Sequence, residues 1–149
     1  MAWVAYHKWK QGQLDGSSQP SAPIDFNNDD IRLLLLTSGA TPTVATDEDV
    51  ADAVASSGEV TGDNYARKAL TGEAITLSSG TVTFDASDPA AYAQAASGFS
   101  DARYAVLHKH NASDASAALI AYYDFGANKG NKTGSLTLQF SAAGVFTFA

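Results

Sequence analysis

The 149-residue chain has no cysteine, one methionine and four prolines. Without cysteine it can build neither a disulfide framework nor a thiolate metal site. Cations are scarce: nine Lys and Arg face sixteen Asp and Glu, for a formal charge of −7 at pH 7. An acidic chain repels phosphate backbones, so no nucleic-acid partner is expected. Long apolar runs are missing too. The strongest, Ile31 to Leu36, is interrupted by Arg32. Nothing approaches the ~20 residues of a membrane span. Residues 1–20 contain two tryptophans and no apolar h-region, so no secretory signal and no membrane partner are expected. The sequons at Asn111 and Asn131 then read as chance matches.

What is present is a strand pattern. The C-terminal third runs Asp101 to Lys109, Leu119 to Gly126, Gly134 to Phe140 and Ala143 to Phe148, with a polar loop and then glycine turns between. Ile31 to Thr37 is a further strand, as is Tyr65 to Leu70. Ile75–Leu77 and Thr81–Phe84 flank Ser78-Ser-Gly80 as a hairpin. Residues 46–57 form the helix candidate, with Thr46 as cap, Asp49 in capping-box position and Gly58 as a left-handed stop. Residues 88–96 fit either a Pro89-initiated helical turn or an irregular crossing. The fold class is all-β: an antiparallel β-sandwich or jelly roll with one short helix. Expected organisation is an N-terminal arm and linker over 1–24 and a β-sandwich domain over 25–149.

Periodicity adds an expectation about assembly. Ser135 to Phe140 alternates, with Leu136, Leu138 and Phe140 on the inner face. Ile31–Leu36, Tyr104–Leu107 and Leu119–Tyr123 are apolar on both faces. A two-sheet sandwich covers one face of each strand. A neighbouring subunit is an economical cover for the other, which points to a homo-oligomer. The central packing is expected from Leu34, Leu36, Val106, Leu107, Ile120, Phe125, Leu138, Phe140 and Phe146.

Candidate chemistry is thin. His108 and His110 share a strand face, but zinc needs a third ligand and His7 is tied to neither. Asp25 to Asp30 opens like a calcium loop, yet Asp30 stands where glycine is required and Leu36 where glutamate is. Asp47, Glu48, Asp49 and Asp52 are explained by capping and the helix dipole. There is no nucleophile elbow, P-loop or dinucleotide fingerprint. No catalytic residue, metal or cofactor is expected.

Trp3, Tyr6 and Trp9 stand out in a polar terminus. Read as a strand, Trp3, Ala5, His7 and Trp9 share a face. The aromatics either close an edge of the core or anchor an arm on another protein. The expected interface residues are Trp3, Tyr6, Lys8, Trp9 and Lys10, with residues 11–23 as a flexible connection.

Several segments carry a resemblance: Asp29-Asp-Ile-Arg-Leu-Leu-Leu-Leu-Thr-Ser38 with Thr41-Pro42 following, Glu59-Val-Thr-Gly-Asp-Asn-Tyr-Ala-Arg-Lys-Ala-Leu70, Ala102 to Lys109, Leu119 to Gly126 and Phe140 to Phe148. In this order, over residues 25–149, they resemble small structural proteins of tailed bacteriophages, similar to head decoration (cement) proteins. The resemblance implies a β-sandwich virion component on the outer surface of the capsid, with the major capsid protein as partner and a homotrimer as assembly. Residues 11–24 depart from the pattern. Two rival roles follow: a tail, neck or fibre-associated module, and a carbohydrate-binding sandwich using Tyr65, Tyr92, Tyr122 and Tyr123.

Overall fold

The computed structural model describes residues 2–16, 20, 22–55 and 58–148. Its elements, in chain order, are β1 (Val4–Ala5), α1 (His7–Asp15), β2 (Ile31–Thr37), α2 (Val50–Val54), β3 (Lys68–Ala69), β4 (Ala74–Ser78), β5 (Thr81–Asp85), β6 (Ala102–Lys109), β7 (Leu119–Lys129) and β8 (Phe146–Phe148). A 3-10 turn, Asp114–Ser116, precedes β7. The strands make two antiparallel sheets, ordered β1-β7-β6-β2-β3 and β4-β5-β8, and neither closes on itself. The mostly-β character expected from the sequence holds, with two α-helices where one was expected.

The centre of the larger sheet is β2 against β6 and β6 against β7. Leu34 opposes Val106 and Leu33 opposes Leu107, so apolar pairs fill both faces. The faces are covered within one chain: Leu33, Leu34, Leu35 and Leu36 are all fully buried. Their two-faced apolarity therefore no longer calls for a neighbouring subunit. A cluster of aromatics joins α1 to the smaller sheet, where Phe26 meets Trp9, Phe84 and Phe146.

The outer edge of β2 is met by both backbone and side chain, including Val60 N, which donates to Leu35 O at 3.0 Å. β3 pairs at Arg32 and Leu33, the Tyr65 hydroxyl accepts from Leu35 N at 3.1 Å, and Gly58 O accepts from Thr37 N at 2.7 Å. The expected strand over 65–70 shrinks to β3, because Tyr65 is used as a side-chain partner instead.

The hairpin β4–β5 forms as expected. Ser79 and Gly80 both have positive φ, 50° and 83°, the signature of a two-residue turn whose twist suits the flanking strands. The expected helix over 46–57 begins later. Asp49 is the cap, its carboxylate accepting from Asp52 N at 3.1 Å, and the helix spans Val50–Val54. Thr46 lies in a turn, and residues 56 and 57 fall outside the described residues. Gly58 is required by packing and not by a left-handed stop, for a Cβ there would lie 2.2 Å from Ala40 Cβ. Residues 135–140 form no strand: Leu136 makes an isolated bridge to Tyr92, and Asp88 Oδ1 accepts from Phe140 N. Of the expected core, Leu34, Leu36, Val106, Leu107, Ile120 and Leu138 are buried, while Phe125, Phe140 and Phe146 are partly buried against it.

Candidate protein-binding surface

The N-terminal segment was expected as a strand or arm. It is a two-residue strand followed by a helix. Val4 and Ala5 pair with Tyr122 and Ala121 at the edge of the larger sheet. Tyr122 and Tyr123 point to opposite faces of β7. Tyr6 packs on Tyr122 and Trp3 on Tyr123, with ring centroids 5.9 and 6.0 Å apart, so the segment straddles the sheet edge.

From His7 the chain turns helical, and Tyr6 and Trp9, three residues apart, both face inward. Trp9 is 1% exposed and contacts Phe26, Phe146 and Phe148 at 5.9, 5.3 and 5.5 Å. The Gln13 amide, oriented to satisfy its neighbours, accepts from Trp9 Nε1 at 3.2 Å and from Ile24 N at 2.9 Å, and donates to Ile24 O at 3.2 Å. Of the expected interface residues, Tyr6 and Trp9 are thus core, Trp3 is half-buried, Lys8 lies 4.0 Å from Glu48, and Lys10 is exposed. Burial of Tyr6 and Trp9 in the same cluster as the strands replaces an independent arm with a built-in element. Residues 11–15 of the expected flexible connection are helix, and residues 17–19 and 21 lie outside the described residues.

Lys10 lies on a groove of about 470 Å³ between α1 and the smaller sheet. Its apolar lining includes Trp9, Phe26, Phe84 and Phe146, with Leu14, Ile75, Val82 and Phe148. Leu14 is 91% exposed, and Leu77, at the outer edge of the same sheet, 73%. Among the described residues, Lys10 is the groove's only charged lining residue. This concave apolar surface was not visible in the sequence, where residues 3–10 read as a strand or arm and 11–23 as a flexible connection.

The polar clusters are structural. Arg67 donates to both Glu59 oxygens and both Asp114 oxygens, at 2.6–2.9 Å. Those bonds hold Asp114 below the usual carboxylate range and raise Arg67. Tyr65 donates to Glu59, and burial pushes its hydroxyl above its ordinary value. His108 is fully buried with neither ring nitrogen hydrogen-bonded, and burial, helped by the Arg67 charge, lowers it to about 4. Among the described residues no group of three His, Asp or Glu side chains could hold a metal.

The expected calcium-like segment is tied down from within. Asp25 accepts from Asn27 N and Asn28 Nδ2, Asp29 pairs with Lys109 and Asp30 with Arg32. The tyrosines proposed as a sugar platform diverge. Tyr65 stacks on Tyr92, which is 1% exposed, while Tyr122 and Tyr123 face opposite sides of β7. Asn131 is buried, its Oδ1 accepting from Phe99 N and its Nδ2 donating to Asp63 O and Ala93 O. A side chain so engaged is unavailable as a glycan acceptor. Comparisons with protein-family models, with curated proteins and with solved structures found no match.

Proposed function

We propose that the chain is a virion structural protein, a decoration protein that binds the outer surface of a phage major capsid shell and stabilises it. The observation that carries the reading is the ordered set of segments resembling tailed-phage structural proteins, from residue 29 to residue 148. In this reading the two antiparallel sheets are the layers of the implied β-sandwich, and its function is binding energy repeated over many copies, with no turnover. What supports binding over catalysis is the use of the polar residues: Arg67, Glu59, Asp114 and Asn131 are engaged with one another or with backbone. An acidic chain also suits an exterior position away from packaged DNA. Lys8 and Lys10 are the cations of α1, placed to orient the contact with an acidic patch of the shell.

The test is co-sedimentation of the purified protein with shells of the encoding phage that lack it, and a mass-calibrated gel of intact particles. Saturable binding, with copies in proportion to capsid subunits, is the expected result. A few copies per particle would move the chain to the tail or neck, and no association with particles would end the proposal. Lys10→Glu, at an exposed position, should weaken the attachment and leave melting unchanged.

A further inference from the structure

β4 is an outer strand of the smaller sheet, and no described strand pairs with its free edge. Its register with β5 is continuous from Ala74↔Asp85 to Ser78↔Thr81. It has no proline, no lysine and no bulge, the usual protections of an exposed edge. All five of its residues are exposed, including Ile75 and Leu77. Those two oppose Phe84 and Val82, and so stand on the groove face of the sheet.

From this edge we infer that β4 is a self-association surface, and that its occupant is β4 of a second copy, antiparallel about a two-fold axis through Thr76. The sequence of the strand is self-complementary in that register. Ile75 opposes Leu77 of the second copy, Thr76 opposes Thr76, and Ala74 opposes Ser78. Directly opposed residues share a face, so each copy's Ile75 and Leu77 extend the other's apolar groove wall. Reciprocal pairing, Ile75 with Leu77 and Leu77 with Ile75, is what an isologous interface requires.

Charge selects the same place. Two chains of −7 repel each other over most of their surfaces. The smaller sheet carries one charged residue, Asp85, at the far end of β5, and residues 74–84 carry none. A second copy can approach here without opposing carboxylates. The resulting six-stranded sheet removes the open β4 edges and covers Leu77. The trimer implied by the resemblance would need a different, head-to-tail contact, so mass separates the two.

The purified protein should sediment with about twice the 15.5 kDa chain mass as concentration rises into the range of about 10–100 µM, typical of a modest interface. Added salt should strengthen it by screening the repulsion. Leu77→Lys should raise the dimer dissociation constant at least about tenfold, because it sets two cations into the seam. It should also stay folded, since the side chain is 73% exposed. Register is tested with Thr76→Cys in a chain with no native cysteine. Opposed residues in an antiparallel pair lie about 4.5–5.5 Å apart at Cα, within disulfide reach. Mild oxidation should therefore join the Thr76→Cys chains into a covalent dimer, with Ser87→Cys staying reduced. A monomer throughout this range, a trimer mass, or Thr76→Cys crosslinking no faster than Ser87→Cys would overturn the inference. The test uses the protein alone, so it stands or falls apart from capsid binding.

Discussion

Trp9→Ala separates a core tryptophan from an interface anchor. In the structure the indole is 1% exposed, against Phe26, Phe146 and Phe148, and Gln13 accepts from its Nε1. Truncating a buried Trp to Ala costs about 3–5 kcal/mol through lost transfer energy and residual cavity. Edge and tilted ring pairs add about 0.5–1.5 kcal/mol each beyond area. The groove beside Trp9 lets water reach part of the void, which holds the total near the lower figure. A chain of this size loses about 2–4 °C per kcal/mol, so a loss near 3 kcal/mol should lower the midpoint by roughly 6–12 °C.

The assay is thermal and urea unfolding at low micromolar concentration, where association contributes little. Trp9→Phe is the companion variant and should recover about half of the loss, since the ring contacts survive while the Nε1 bond does not. An anchor on a mobile arm would behave differently, with a change within about 0.5 kcal/mol, as for surface positions. A Trp9→Ala protein that melts with the wild type would refute the burial reasoning and restore the arm.

Two further outcomes follow from packing and charge. Leu138→Ala should cost about 2–5 kcal/mol, as for a buried leucine, and Phe140→Ala less, because Phe140 is only partly buried; equal losses in urea titrations would contradict this ranking. Stability should also fall with acid through His108, whose folded-state value of about 4 lies below the ordinary 6.5. The neutral ring is the native form, so its contribution is complete above 6.5 and is lost as pH falls towards 4, by about 3 kcal/mol in all. Asp30 and Asp114, held low by Arg32 and Arg67, lose theirs at still lower pH. His108→Leu should flatten the window between 6.5 and 4, and an unchanged slope there would show that the ring is not the source.

Legibility in the sequence followed the range of the interactions. β2, β6, β7 and the β4–β5 hairpin were legible because apolar runs and a glycine turn report local geometry directly. The N-terminus carries its helical signal in the spacing: Tyr6 and Trp9 are three apart, a helical interval, and a strand would set them on opposite faces. The 135–140 segment shows the converse. Its clean alternation marks which residues turn inward, and Leu138 does, but alternation says nothing about a pairing partner, and only Leu136 finds one, in Tyr92.

Side chains that stand in for backbone were the least legible. Asn131 joins Phe99, Asp63 and Ala93, which lie 32 to 68 positions away in sequence. Tyr65 had the composition of a strand residue, yet its hydroxyl takes the place of a strand carbonyl at Leu35 N and donates a hydrogen bond to Glu59. Glu59 is in turn held by Arg67, and Arg67 by Asp114 at the start of the 3-10 turn before β7. The outer edge of β2 is therefore met partly by a side-chain relay reaching across the larger sheet. An edge closed in this way cannot take up a foreign strand, whereas β4 has no such relay. The outer strands of the larger sheet, β1 and β3, are two residues each, whereas β4 offers five, and this is why self-pairing is assigned to the smaller sheet.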